Sequence, residues 1–442
     1  MRGSPSSRSA WLLLLFLTLL NIINFVDRQL IVYLAPLLRR DLGLSLAKIA
    51  LLYGYVFLVF YTLMGMALGN AADRFHRPRL IAGGLTLWSL LTAASGAALK
   101  FWHLLLARLL VGVGEATLTP ASISMLSDVF PPKKRAFAAG FYYAGVPLGS
   151  GAGMLVAGWL APRYGWRTCF YALGMLGLIF LPLLLTLKNP ARGAAESSEV
   201  EENTEGGIKP APAGQLSSGQ IYRELFRSVA RTPALPLAIL AGVLLNFSIS
   251  AATMVITWLN LERGFDYQRA AYTSGLIALV AGTLGTVLGG FASDWFQRRS
   301  GGGRMWFLVC KGLFFLPFTL GFYTLSVDAP GRLFYVCWFM SNLGSLTWYG
   351  PVFAAVQELA PVHIRSTAVA FLLLALNLLG SGLGPFVAGV IGDYVSLWRG
   401  LIICACVGFT AIIPAAIAAR RYQTDLTRAR AAESRLMSGE FR

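Results

Sequence analysis

Four ionisable side chains, Asp27, Arg28, Arg108 and Glu115, fall inside apolar stretches long enough to cross a membrane. Asn21, Asn24, Asp27 and Arg28 recur every three or four residues, so on a helix they form one polar stripe, while Trp11 to Leu20 and Leu30 to Leu38 are almost wholly apolar. A charged side chain at the centre of a bilayer costs about 2.5–3.5 kcal/mol unless it meets a partner or water, which makes it a candidate for a ligand or ion path. A structural ion pair that only fastens helices is the competing reading. In the second stretch Arg108, Gly112, Glu115 and Thr119 share one helical face, with Arg108 and Glu115 about 10 Å apart along the axis. Glu115 falls near the middle of its run, and Asp27 and Arg28 within about 5–10 Å of the midplane, so the depths allow contact. Two acids with two bases suit the joint handling of an anion and a proton, because gain or loss of a guanidinium partner changes the proton occupancy of a carboxylate.

The elements that must hold these groups are membrane helices. The chain has 442 residues, 56% of them hydrophobic and only 13% charged, with mean hydropathy +0.64, which excludes an ordinary soluble globule. Apolar runs predict an all-α membrane protein with twelve transmembrane helices, near 11–38, 46–70, 79–99, 102–128, 136–161, 166–187, 234–260, 270–295, 304–326, 331–357, 367–392 and 398–419. The net charge of +17 sits in short clusters between these runs, so it reports membrane topology and not a nucleic-acid surface. Lys and Arg favour one set of connecting segments by roughly two to one, which places both termini in the cytoplasm of a plasma membrane, the inner membrane in a bacterium. The apolar run after Arg8 passes into the polar stripe without a small-residue cleavage site and reads as a retained first span. Cys169, Cys310, Cys337, Cys404 and Cys406 lie in apolar segments without redox or metal-ligand spacing and read as small core residues.

The domain organisation follows: residues 1–188 as a six-helix bundle, 189–232 as a cytoplasmic linker, 233–420 as a second six-helix bundle, and 421–442 as a basic, mobile cytoplasmic tail. The linker is rich in Gly, Ala, Ser, Pro and Glu. At its end, Ile221 to Arg231 predicts an amphipathic helix, with Arg223, Arg227 and Arg231 on one face, suited to anionic lipid headgroups. The two halves repeat. Gly69 to Arg77, containing Asp73 and Arg74, matches Gly290 to Arg298, containing Asp294; Asp128 to Arg135 matches Glu358 to Arg365; Gly149 to Gly153 matches Gly380 to Gly384. Parallel repeats of this kind place a central site at the interface of two bundles that rock in alternating access. Asp73 with Arg77, and Asp294 with Arg298, are carboxylate–guanidinium pairs at i, i+4 that could latch one conformation.

With those residues in view, the chain resembles the major facilitator superfamily of transporters over nearly its whole length: the Gly69 to Pro78 loop, with Pro78 in place of a usual basic residue, and the Arg108 to Ala116 stretch carry the likeness. More narrowly, Asn24-Phe25-Val26-Asp27-Arg28, Arg108 to Ala116 and the Asp73-Arg74 loop are similar to the spinster family of lysolipid and sphingosine-1-phosphate transporters. That resemblance implies an amphipathic anionic lipid as substrate, Arg28 at its headgroup, and Asp27 and Glu115 as protonation-sensitive carboxylates, with Arg108 and Asn24 beside them. An organic-anion symporter family resembles the chain at the same places, so a proton-coupled sugar-acid symporter stays open, as do multidrug efflux and a non-transporting membrane sensor. The second half offers neutral cavity candidates, Asn246, Thr253, Trp258 and Asn377, and one deep charge, Lys311, which in this fold would be peripheral. An enzyme finds little support: His76, His103 and His363 each lie near a span end, and no catalytic, metal-ligand or nucleotide-binding arrangement occurs. The expected partners are a small amphipathic or anionic substrate and membrane lipids, with no metal or cofactor, a proton as coupling ion, and a monomeric state.

Overall fold

The protein is described here from a computed structural model, in which residues 7–72, 75–190, 229, 231–361 and 364–437 are placed. Every regular element among them is a helix. Among the described residues ten helices are long and apolar enough to cross a membrane: Ser9–Tyr33, Leu46–Gly65, Phe101–Val129, Phe137–Tyr164, Trp166–Thr186, Ala234–Glu262, Tyr267–Arg299, Gly303–Thr324, Thr367–Tyr394 and Leu397–Arg428. The other two expected runs are helical but fall short of that measure. Helix Arg77–Gly96 carries Arg77, Arg79 and a series of Ser, Thr and Gly residues, and the segment 331–357 is divided into Leu333–Ser345 and Tyr349–Leu359 by a turn.

The chain forms two compact units, one of Met1–Ala211 with Leu259–Leu279 and one of Pro212–Trp258 with Val280–Arg442. The core of the first is built from Leu14, Leu17, Leu20, Leu85, Trp88, Val111, Met125 and Tyr142, and that of the second from Leu235, Met305, Trp348, Val352, Leu359 and Tyr422. Large apolar side chains also face outward, among them Leu12, Trp102 and Phe291, as the hydrocarbon of a bilayer requires. Of the cysteines, Cys169, Cys337 and Cys404 are buried, whereas Cys310 and Cys406 are exposed on helix faces and are not core residues.

The repeat read from the sequence reappears as repeated bonds within each unit. Asn21 Nδ2 donates to Tyr142 O at 2.9 Å, and Asn246 Nδ2 donates to Leu376 O at 2.8 Å. Arg135 Nε donates to Phe130 O and Arg365 Nε to Ala360 O, in each case five residues back. Thr117 and Thr347 each donate to the carbonyl three residues earlier, Gly114 O and Gly344 O, both at 2.8 Å. In one respect the packing differs from the sequence register. The glycine pressed against Asn246 is Gly380, but the one pressed against Asn21 is Gly145, one turn before Gly149. The segment Leu376–Gly382 is π-helical, and the wider turn accompanies that shift.

The C-terminal segment departs from expectation. Helix Ile412–Met437 continues well past Arg421, and Tyr422 and Asp425 on it are buried. Tyr422 OH donates to Glu358 Oε2 at 2.6 Å, and Asp425 Oδ2 accepts from the backbone N–H of Ala234 at 2.8 Å, satisfying a donor at the start of helix Ala234–Ala251. Composition alone suggested a mobile tail; two buried polar anchors hold its first turns instead. The linker helix expected over Ile221 to Arg231 lies almost wholly outside the described residues. Loss of the Asp425 cap should cost about 0.5–2 kcal/mol: Asp425→Ala is expected to lower the unfolding temperature of the detergent-purified protein, and Asp425→Asn, which retains an acceptor oxygen, to lower it less. Equal stability of Asp425→Ala and the native protein would show that the cap contributes nothing.

Candidate functional site

The polar stripe belongs to helix Ser7–Tyr33, and the partners of its two charged residues come from three neighbouring helices of the first unit. Asp27 and Arg28 are adjacent in sequence but do not pair with each other. Arg108 Nη2 lies 3.5 Å from Asp27 Oδ1, with Nη1 3.4 Å from the Asp27 carbonyl oxygen, while Arg28 donates through Nε at 3.2 Å and Nη2 at 3.1 Å to Glu115 Oε2. The two helices are therefore joined by two ion pairs, each acid opposite a base. Successive helical residues point about 100° apart, which directs the short Asp27 and the long Arg28 to separate partners.

A third group completes the Asp27 side. Thr92, on helix Arg77–Gly96, donates its hydroxyl to Asp27 Oδ2. Asp27, Arg108 and Glu115 are 1–2% exposed, whereas the Arg28 side chain keeps 12% of its surface. Arg28 is thus the one member of the four with appreciable access. Its guanidinium is bounded by three rings: Phe25 at 4.7 Å, Phe57 at 4.9 Å and Tyr61 at 4.2 Å to the ring centroids. Side chains on a helix lean toward its N-terminus, which brings Arg28 back over Phe25 three residues earlier. Phe57 and Tyr61, one turn apart on helix Tyr55–Ala72, come close because Gly112 has no side chain; a Cβ there would sit 3.0 Å from Phe57 O. Each such contact is worth about 0.5–2 kcal/mol, depending on desolvation.

Not every polar atom in the cluster is used. Glu115 Oε1, Arg108 Nε and Asn24 Nδ2 are buried with no hydrogen-bond partner. One carboxylate oxygen of Glu115 takes both donors of Arg28 and the other takes none. Each pair therefore leaves one buried atom unused, Glu115 Oε1 in one and Arg108 Nε in the other; of the two acids, Asp27, with Thr92 added, is the one with both oxygens engaged.

The remaining sequence candidates have other placements. Asn246 Nδ2 donates to Leu376 O and, at 2.9 Å, to Ser381 Oγ, while its Oδ1 accepts from Tyr349 OH at 3.5 Å, so it braces helices of the second unit. Thr253 donates to Ser250 O in its own helix, and Trp258 is buried edge-on against Phe322. Asn377 is half-buried in the π-helical segment. Asp73 and Arg74 lie outside the described residues. Arg77 reaches Asp128, Ser124 Oγ at 3.0 Å, Asn189 Oδ1 at 2.9 Å and Pro190 O. In the second unit Asp294 pairs at 3.1 Å with Arg304, which also binds Glu358; Arg298 is exposed and has no ion pair among the described residues.

Sequence reasoning missed Thr92, Phe25, Phe57, Tyr61 and Arg304. Thr92 had a usable signal, since Ser89, Thr92 and Ser95 recur at three-residue spacing in an otherwise apolar run. The rings had none, because an aromatic residue facing lipid and one facing a guanidinium look alike in sequence.

A family model described as the Major Facilitator Superfamily matches residues 17–381. The chain is 30% identical to an MFS-type efflux pump of Mycolicibacterium smegmatis, with 95% of each chain covered. It is 26% identical to Protein spinster of Drosophila melanogaster, over 89% of this chain and 64% of that one. The crystal structure of a bacterial homolog to the human lysosomal transporter Spinster, inward-facing and unoccupied, has a similar fold, with TM-score 0.76, 24% identity, and coverage of 96% of this chain and 98% of that one.

The crossed pairing has a direct test in stability. Arg108→Leu strands the buried Asp27 carboxylate and is expected to cost about 3–5 kcal/mol, whereas Asp27→Asn with Arg108→Leu removes both charges and should recover most of the loss. Chemical unfolding in detergent measures both. A double variant no more stable than the single one would mean that the pair does not balance these charges.

Proposed function

Because the chain belongs to the Major Facilitator Superfamily, we propose that it carries an amphipathic anionic lipid, of the lysophospholipid or sphingosine-1-phosphate kind, by proton-coupled alternating access. It is a spinster-like, multi-pass integral membrane transporter of small molecules and not an enzyme. The proposal includes twelve spans in two six-helix bundles, both termini in the cytoplasm, a bacterial inner-membrane location, a monomer, and no cofactor beyond the coupling proton.

The observation that carries the reading is the Arg28–Glu115 pair. Arg28 is the accessible member of a balanced buried set, and it is held by one oxygen of one carboxylate. An incoming phosphate offers a guanidinium two or more oxygens and competes well for it. Once Arg28 turns to the substrate, Glu115 is left as an unpaired buried carboxylate, a state avoided by taking up a proton. Substrate and proton then bind together through one shared arginine. Among the described residues the second unit has no matching buried set of two acids and two bases: Asn246 and Thr253 are engaged in its own helix packing and Trp258 is buried among rings. That asymmetry suits a ligand with one charged end. A second reading, efflux of cationic amphiphiles, has one observation in its favour: Phe25, Phe57 and Tyr61 with Glu115 form the surroundings of an organic cation, and Arg28 now occupies that place.

Transport in proteoliposomes distinguishes these readings. Glu115→Gln is expected to fold and to lose the pH dependence of lysophospholipid counterflow; an unchanged pH dependence would remove Glu115 as the coupling group. Arg28→Ala should weaken binding of phosphate-bearing lipids at least tenfold more than that of their dephosphorylated analogues. Equal losses would make Arg28 structural, and stabilisation of the purified protein by sugar acids or cationic drugs alone would exclude a lipid.

A further inference from the structure

Lys311 belongs to neither the charged cluster nor the pairs around Arg304, and it is only 8% exposed within helix Gly303–Thr324. Its Nζ donates to Gly344 O at 3.1 Å, a carbonyl that also accepts from Thr347. Two of its three N–H groups are left, and no ion pair among the described residues includes it. A buried ammonium without a counter-charge is a costly arrangement in a membrane helix.

The ammonium lines a cavity within the second unit, of about 60 Å³, shared with Ser248, Thr319, Ser341, Ser345 and Phe315. A single water needs roughly 10–15 Å³ of such space, so there is room for a few water-sized groups. The wall is mostly apolar, and its hydroxyls gather around the ammonium's cavity. The Ser248 hydroxyl makes no hydrogen bond among the described residues, and Thr319 and Ser341 share one bond at 3.0 Å, which leaves one O–H of that pair to give. Ser345 is already committed to Ser341 O at 2.8 Å.

The first unit supplies an internal comparison. Thr117 on Gly114 O and Thr347 on Gly344 O mark equivalent positions of the repeat. In the first unit that site is closed by the Thr117 side chain and by backbone, since a Cβ on Gly84 would run into Thr117 Oγ1 and lie 2.6 Å from Gly114 O. In the second unit a lysine side chain and a space that includes four hydroxyl side chains replace the closure.

We propose that this cavity binds a small monovalent anion, a halide or a carboxylate, held by the Lys311 ammonium and the hydroxyls of Ser248 and of the Thr319–Ser341 pair. The anion supplies the missing counter-charge and takes up donors that otherwise have no acceptor. The site is separate from the Arg28 cluster and does not depend on the identity of the transported substrate.

The test uses purified full-length protein at constant ionic strength, with methanesulfonate replaced stepwise by chloride or by acetate. The native protein should show a saturable rise in unfolding temperature of about 2–4 °C with at least one of the two. The effective ion separates halide from carboxylate. Lys311→Met, which keeps an unbranched side chain one atom shorter and removes the charge, should abolish the rise. Crystals grown in bromide should show an anomalous peak beside Lys311 Nζ if the ion is a halide, and this readout stands even if the variant does not fold. An equal rise in Lys311→Met, or no rise with either ion together with no bromide peak, would overturn the proposal.

Discussion

The constraint on which the rest of this structure depends is that charge placed in hydrocarbon must be balanced where it stands. Four buried ionisable groups meet it by pairing across two helices, Asp27 with Arg108 and Arg28 with Glu115. An acid and a base side by side on one helix could have paired locally. Instead each is directed to a second helix, so charge balance also fixes the register between Ser7–Tyr33 and Phe101–Glu115. Thr92 and the three rings then settle how firmly each pair is held. The Asp27 pair gains a further donor and is sealed. The Arg28 pair is cushioned by aromatic faces, keeps some access, and leaves an oxygen of Glu115 without a partner.

The two units meet the same constraint differently. Both keep the asparagine that fastens one helix to the backbone of another, and both keep the threonine on the glycine carbonyl. The first carries four buried charges as two crossed ion pairs. The second carries Arg304 with two acids near one end and a solitary Lys311 at depth. A repeated scaffold with unequal charge is how one half can specialise for a polar group while the other keeps the fold.

Much of this was legible in the sequence, for identifiable reasons. The stripe Asn21, Asn24, Asp27, Arg28 stood out because polar residues at helical spacing in an apolar run have few explanations, and counting from the span ends put Glu115 at a depth close to that of Asp27 and Arg28. The crossed pairing was not legible, since spacing along one helix says nothing about its offset against the next. Phe57 and Tyr61 were hidden by the apolar composition of their helix, and only the close approach at Gly112 brings them over Arg28. The C-terminal helix was misread because its basic composition outweighed two residues, Tyr422 and Asp425, whose burial depends on distant partners.

The central claim is that one arginine is shared, so that an anion taking Arg28 makes Glu115 take a proton. Proton release or uptake can be followed directly when a lysophospholipid is added to the purified protein in weakly buffered solution. The account predicts uptake approaching one proton per ligand bound in the native protein and none in Glu115→Gln. Binding of the lipid with no proton uptake by the native protein, or with the same uptake by the variant, would contradict it.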